Sequence, residues 1–149
     1  MKNYLLYNPF AGGCTGEEKA RSAAERLEGE IVLTDMTKIT DYKAFIESCA
    51  GERITLCGGD GTLHEVVNGA AGYPHAAVTS IPVGTGNDFL KNFGADAALF
   101  ADAENLWDSP AFPIDAIDVN GRIALTIACS GLDARVAADV HKYSESPLL

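Results

Sequence analysis

Arg53-Ile-Thr-Leu-Cys57 runs without a break into Gly58-Gly-Asp-Gly-Thr62, and Leu63, Val66, Val67 and Ala70 follow at helical spacing. A short apolar run, a glycine loop and an apolar stripe at i, i+3, i+4, i+7 read as strand, tight turn and helix. The same order recurs on both sides. Upstream, residues 3–8 form a short apolar strand that Pro9-Phe-Ala-Gly-Gly13 cannot continue. Thr15-x-x-Glu18 then suits a capping box ahead of the stripe Ala20, Ala23, Ala24, Leu27, which ends near Gly29. Ile31-Val-Leu33 is a second strand, and Tyr42, Phe45, Ile46 and Cys49 give a second stripe closed by Gly51. Downstream, residues 76–81 are a fourth strand stopped by Pro82, and residues 87–93 form a short helix after Val83-Gly-Thr-Gly86. Strands that alternate with helices need crossover connections, so the expected fold is α/β: a doubly wound, mostly parallel sheet.

The pattern changes after Phe93. Between Lys91 and Arg122 there is no basic residue, but there are Asp96, Asp102, Glu104, Asp108, Asp115 and Asp118. This predicts a solvated helix and a boundary near Ser109-Pro110. Residues 114–119 and 122–129 are β-rich and joined by Asn120-Gly121, a strong hairpin signal, and residues 134–143 suit one more helix. The expected organisation is an α/β domain over residues 1–110 and the start of a second β-rich domain over 111–149. That second unit reads as truncated, because a lone hairpin is marginal without further strands.

The chain has 149 residues, 47% of them hydrophobic and 21% charged, which suits one globular core. Eleven Lys and Arg against twenty-one Asp and Glu give a net charge of −10, which opposes non-specific binding to nucleic acid or to an anionic membrane. A phosphate site must therefore be local. The N-terminal apolar run, Tyr4 to Tyr7, is too short for a signal peptide, so the chain reads as soluble and unexported. Cys14, Cys49, Cys57 and Cys129 form no C-x-x-C pair and read as small core residues.

The loops Asn8 to Gly13, Gly58 to Thr62 and Val83 to Gly86 each follow a strand, so a parallel sheet sets all three along its carboxyl edge, where open α/β sheets bind ligands. Glycines there let backbone N–H groups approach an anion, and the following helix adds its positive end. No Walker A pattern is present, and His64 replaces the third glycine of a dinucleotide fingerprint. Asp60 is out of place beside phosphate unless it holds a cation or itself accepts hydrogen bonds; a Mg²⁺ between Asp60 and nucleotide phosphates resolves the conflict. On the residues alone other readings stay open. The glycines also suit a plain tight turn, Asp60 or Thr62 a helix cap, Asn87 or Asp88 a cap for the next helix, and Thr34 a simple turn residue.

Asn8-Pro-Phe-Ala-Gly12, the stretch Gly58 to Gly69 and Ile81-Pro-Val-Gly-Thr-Gly-Asn-Asp-Phe89 together resemble the signature segments of the diacylglycerol kinase catalytic-domain family, which includes bacterial lipid kinases and sphingosine kinases. Residues 114–119 and 129–134 resemble, more weakly, the first strands of that family's β-sandwich domain. The resemblance implies that Asn8, Pro9, Phe10, Ala11, Gly12, Thr34, Gly58, Gly59, Asp60, Gly61, Thr62, Leu63, His64 and Thr85 bind ATP, with Asp60 catalytic and near Mg²⁺. His64 stands where many relatives have Asn. The implied reaction moves the ATP γ-phosphate to a lipid hydroxyl, most simply that of diacylglycerol, with the general base lying beyond residue 149. Expected partners are ATP, a lipid acceptor, a transient membrane contact and a second copy of the chain, but no nucleic acid. The expected location is cytoplasmic or peripheral at a membrane. The alternatives are an NAD kinase-like enzyme, since those also carry a GGDGT loop, and a nucleotide-binding module without turnover.

Overall fold

In a computed structural model, residues 2–49, 51–70, 77–83 and 86–143 are described, with backbone alone for 141–143. Four parallel strands, β1 (Lys2–Tyr7), β2 (Glu30–Asp35), β3 (Arg53–Gly58) and β4 (Ala77–Pro82), pair in the order β2-β1-β3-β4. Leu5 sits between Leu33 and Thr55, and Leu6 between Thr34 and Leu56. Alternation along the strands therefore sends Leu5, Tyr7, Cys57 and Ile81 to one face, against Ala20 and Ala23 of α2 (Gly16–Arg26). Leu6, Ile54 and Leu56 face the other way, against α3 (Tyr42–Ser48) and α4 (Asp60–Gly69) through Ile46, Leu63 and Val66. Both faces are covered, which is why these strands read as apolar runs rather than alternating ones. Each fully buried Leu contributes about 1.5–3 kcal/mol, so Leu5, Leu6 and Leu56 anchor the sheet.

The connections follow from handedness. The chain steps from β1 to β2 through α2, then reverses over β1 to reach β3 through α3, and a right-handed crossover run in the opposite direction lies on the opposite face. The point of reversal lies between β1 and β3. Their carboxyl ends carry the first two glycine loops, and the helices that follow leave toward opposite faces.

The first loop contains a single turn, α1 (Ala11–Cys14), in which Gly12, Gly13 and Cys14 are left-handed, with φ of 58°, 70° and 69°. This turn overturns the expected capping box. Thr15 stands at the N-cap of α2 but its side chain does not cap the helix; Oγ1 donates instead to the carbonyl of Gly12 at 3.0 Å, which the left-handed turn carries back toward it.

After β4 comes α5 (Asp88–Lys91). The expected single acidic helix is instead a 3₁₀ stretch, Gly94–Ala101, and α6 (Ala103–Leu106). Arg26 offsets part of its charge, lying 3.6 Å from Asp102 and 3.3 Å from Glu104. Arg53 gathers the carbonyls of Leu106, Trp107 and Ser109, and the Trp107 indole donates to the Glu28 carbonyl at 3.0 Å. The hairpin is present as β5 (Ile117–Val119) and β6 (Arg122–Ala124), shorter than the sequence suggests, with Asn120 and Gly121 at φ of 53° and 82°. Two successive positive φ values are what an Asn-Gly turn supplies. The chain continues into α7 (Leu132–Tyr143). Only two of the four cysteines are core residues as expected: Cys49 and Cys57 are buried, whereas Cys14, on the left-handed turn, and Cys129, in irregular chain before α7, are exposed.

Candidate functional site

The three loops meet at the carboxyl edge because the backbone ties them together. The Asn8 N–H donates to the Cys57 carbonyl at 3.3 Å, linking the first loop to β3, and the Val83 N–H donates to the Gly58 carbonyl at 3.0 Å, linking the third loop to the second. Asn8 also shapes its own loop, accepting from the Phe10 N–H at 2.9 Å through Oδ1 and from the Ala11 N–H at 3.1 Å through its carbonyl. Gly16 then passes so close to Asn8 that a Cβ there would overlap the Asn8 carbonyl. Phe10 and Gly12 are exposed at the tip, Pro9 and Ala11 half-buried.

In the second loop the residues divide by burial. Gly58, Thr62 and Leu63 are buried, Gly59 and Asp60 half-buried, Gly61 and His64 exposed. A Cβ on Gly58 would overlap the Thr62 side chain, so these two are a packing pair that lets α4 start directly at the strand end. Gly59 occupies the N-cap of α4 and has no side chain with which to cap it, which leaves the helix's positive end open toward the crevice.

Asp60 settles the conflict noted in the sequence by accepting hydrogen bonds. Oδ2 takes the Asp88 N–H at 2.9 Å and Oδ1 the Phe89 N–H at 3.0 Å, so the carboxylate caps α5 from a distant part of the chain. The capping role that Asn87 or Asp88 could fill falls to Asp60; neither Asn87 nor Asp88 caps α5 through its side chain, and Asp88 pairs with Lys91. That pairing, through the hydrogen bond and the charge, raises the Lys91 ammonium's pKa.

Beside Asp60 lies a cavity of about 180 Å³. One wall is Asp60, Leu63, His64, Asp88 and Phe89; the other is the segment from Ala124 to Ile127 after the hairpin. Its lining combines two carboxylates and an imidazole with the apolar side chains of Leu63, Phe89, Leu125 and Ile127. The wall from Ala124 to Ile127 is not evident from sequence, since nothing local to it signals contact with α4. Thr34 lies elsewhere, in a shallow depression with Asp35, Lys38, Ile39 and Phe45 at the end of β2. Thr85 lies outside the described residues, so the third loop's contribution is described only through Val83, Gly86 and Asn87. A Cβ on Gly86 would come within 3.1 Å of Asp60 Oδ2.

Two further features bear on chemistry. Burial pushes the Cys57 thiol up to about 12, partly opposed by Lys19, so this cysteine at the strand end is an inert packing residue rather than a nucleophile. Among the described residues no group of three His, Cys, Asp or Glu could hold a metal.

Residues 2–119 match the family model of the diacylglycerol kinase catalytic domain. The chain belongs to that family. Relatives within reach of this diacylglycerol kinase catalytic domain include a Pseudomonas aeruginosa protein named "Probable lipid kinase YegS-like", 36% identical over 143 residues that cover 93% of this chain and 46% of the relative. A Bacillus subtilis protein named "Diacylglycerol kinase" is 38% identical over 144 residues, covering 91% of this chain and 48% of the relative. The chain thus spans about half the length of these relatives. The matched segment contains all three loops and ends with β5, just before the Asn-Gly turn. Among the described residues no helix is long and apolar enough to cross a membrane.

Proposed function

We propose that this chain is the nucleotide-binding part of a lipid kinase that transfers the ATP γ-phosphate to the hydroxyl of diacylglycerol. The observation that carries the reading is that the first two loops lie at the point of strand reversal with the third tied to the second, and that the uncapped start of α4 sets Asp60 in the wall of a cavity also lined by Leu63, Phe89, Leu125 and Ile127. Phosphoryl transfer relies on positioning and charge neutralisation more than on covalent chemistry, and that is what loop N–H groups and a helix start supply.

In this reading the exposed backbone of Gly12 and Gly61 and the side chain of His64 meet the phosphates, with Thr34 and Thr85 reaching the rest of the nucleotide. The acceptor hydroxyl enters between Asp60 and the segment 124–127, its apolar tail along Phe89, Leu125 and Ile127. Asp60 would hold Mg²⁺, since a carboxylate has about four acceptor positions and two of Asp60's are taken by N–H groups; the other ligands would be phosphate oxygens and water. When bound, the ion would neutralise charge on the transferred group. The base that accepts the hydroxyl proton is assigned to sequence after residue 149, so residues 1–149 alone bind nucleotide without transfer. The −10 net charge makes membrane contact local and apolar rather than electrostatic, at a cytoplasmic surface.

The test combines calorimetric titration of the chain with Mg²⁺-ATP and phosphoryl transfer from γ-labelled ATP by the chain in its full genomic context. Acceptors are diacylglycerol, monoacylglycerol, a sphingoid base and NAD, the lipids in mixed micelles. Labelled diacylglycerol is expected. Labelled NAD instead would assign a soluble-nucleotide kinase, and nucleotide binding with no labelled acceptor would leave a binding module.

A further inference from the structure

Asn68 lies in the last turn of α4, off the apolar stripe of Leu63, Val66, Val67 and Ala70, and is a residue of low helix propensity. Its carboxamide leaves the helix to meet the hairpin. Nδ2 donates to the Ile123 carbonyl at 3.0 Å and to the His64 carbonyl at 2.8 Å, while Oδ1 accepts from the Ile123 N–H at 2.9 Å. One side chain therefore satisfies both backbone groups of a β6 residue, as a neighbouring strand would, on the side of β6 away from β5.

This contact bears on the crevice because α4 carries Asp60 at its other end, and because Ala124 to Ile127, directly after Ile123, form the wall opposite Asp60. Three-residue strands cannot hold a hairpin in place by themselves. The other attachment described for this segment is Leu125, half-buried against the core of α3 and α4. Upstream, Arg53 fixes the carbonyls of Leu106, Trp107 and Ser109, and between Ser109 and Ile117 the chain has no regular structure. The chain is thus fixed by Arg53 before the irregular connector and by Asn68 after it, with Phe112 in the connector set edge-on against Phe93.

We propose that Asn68 is a positioning residue that latches the hairpin onto α4 and so sets the distance between the two walls of the crevice. The proposal does not depend on which nucleotide or acceptor the crevice takes. Releasing the latch leaves the sheet and the loops intact and frees the wall at 124–127 to move about the connector.

The test is amide hydrogen exchange, followed residue by residue by NMR, on the 149-residue chain and on Asn68→Ala and Asn68→Asp. The second variant changes the donor to an acceptor at nearly constant volume and sets oxygen against the Ile123 carbonyl. Expected in both is an acceleration of about tenfold or more at Ile123 and at amides of residues 119–127, with β1 and β3 amides within about twofold of the parent. Unchanged protection at Ile123 would overturn the proposal. So would acceleration of β1 and β3 in step with the hairpin, or failure of both variants to fold, since either would make Asn68 a support of the whole fold.

Discussion

Two glycine-to-alanine substitutions, each in a helix that starts after a glycine loop, should have opposite effects on stability. Helix propensity alone predicts that Gly16→Ala and Gly61→Ala both stabilise, by up to about 1 kcal/mol and by less near a helix start. At Gly61, on α4, a Cβ meets nothing within 4 Å, so the gain stands and the expected change is about +0.5 kcal/mol. At Gly16, on α2, the Cβ would occupy the space of the Asn8 carbonyl. The obstacle is backbone, and moving it strains the Ala11 N–H bond to that carbonyl and shifts a loop tied to β3 through the Asn8 N–H. Overpacking of this kind costs about 1–3 kcal/mol and a weakened backbone hydrogen bond about 1 more, so the net expectation is a loss of about 2–3 kcal/mol. For a domain of this size that lowers Tm by about 4–12 °C. Urea unfolding followed by circular dichroism, fitted with a shared m-value, measures both variants. A Gly16→Ala midpoint at or above the parent's would refute the packing argument, as would an equal loss for Gly61→Ala. Gly61→Ala has a second, functional consequence under the proposed nucleotide reading: the added methyl stands where phosphate approaches the helix start, so Mg²⁺-ATP affinity should fall while stability rises.

Asp60→Asn should lower stability by about 1–2 kcal/mol, since one of two charge-assisted bonds to Asp88 and Phe89 becomes an N–H facing an N–H, and should weaken Mg²⁺-dependent ATP binding further; titration with and without Mg²⁺ beside urea unfolding decides, and equal nucleotide affinity in both proteins removes the metal role. Asp35 accepts from the Thr37 hydroxyl at 2.6 Å and its N–H at 3.0 Å beside Lys38, which holds its carboxyl below the ordinary 3.8. Its contribution is present above the ordinary value and lost as pH falls through the lower folded value. The stability gap between parent and Asp35→Asn should therefore be full near pH 6 and close toward pH 3; a gap independent of pH counts against it. Tyr42 is raised to about 12, first by burial and then by Glu65, so the folded state favours the neutral phenol. That contribution is full below pH 10 and lost between 10 and about 12, so Tyr42→Phe should lose less stability than the parent over that range; parallel alkaline profiles would refute it.

How much of this is legible in sequence depends on whether the cause is local. The period of Leu63, Val66, Val67 and Ala70 and the direct step from Cys57 into glycine carry the α/β alternation, because helix and strand periodicity are properties of neighbouring residues. The Asn120-Gly121 turn is legible for the same reason. Thr15 misled because its capping pattern is local, while its hydroxyl is diverted to the Gly12 carbonyl by the left-handed turn of Gly12 to Cys14, which the capping pattern does not encode. Cys14 and Cys129 misled because composition does not say which small residues a second layer will cover.

From sequence alone came the strand-loop-helix units, the three glycine loops and Asp60 as the anomalous charge among them. The strand order β2-β1-β3-β4 belongs to the tertiary structure, and it is what brings the first two loops side by side and gives Asp60 the N–H groups of Asp88 and Phe89. The same holds for Asn68, whose partner Ile123 lies 55 residues away. Periodicity acts over a turn of helix or a pair of residues, whereas a carboxylate or carboxamide finds distant backbone only after the sheet has chosen its order and its faces.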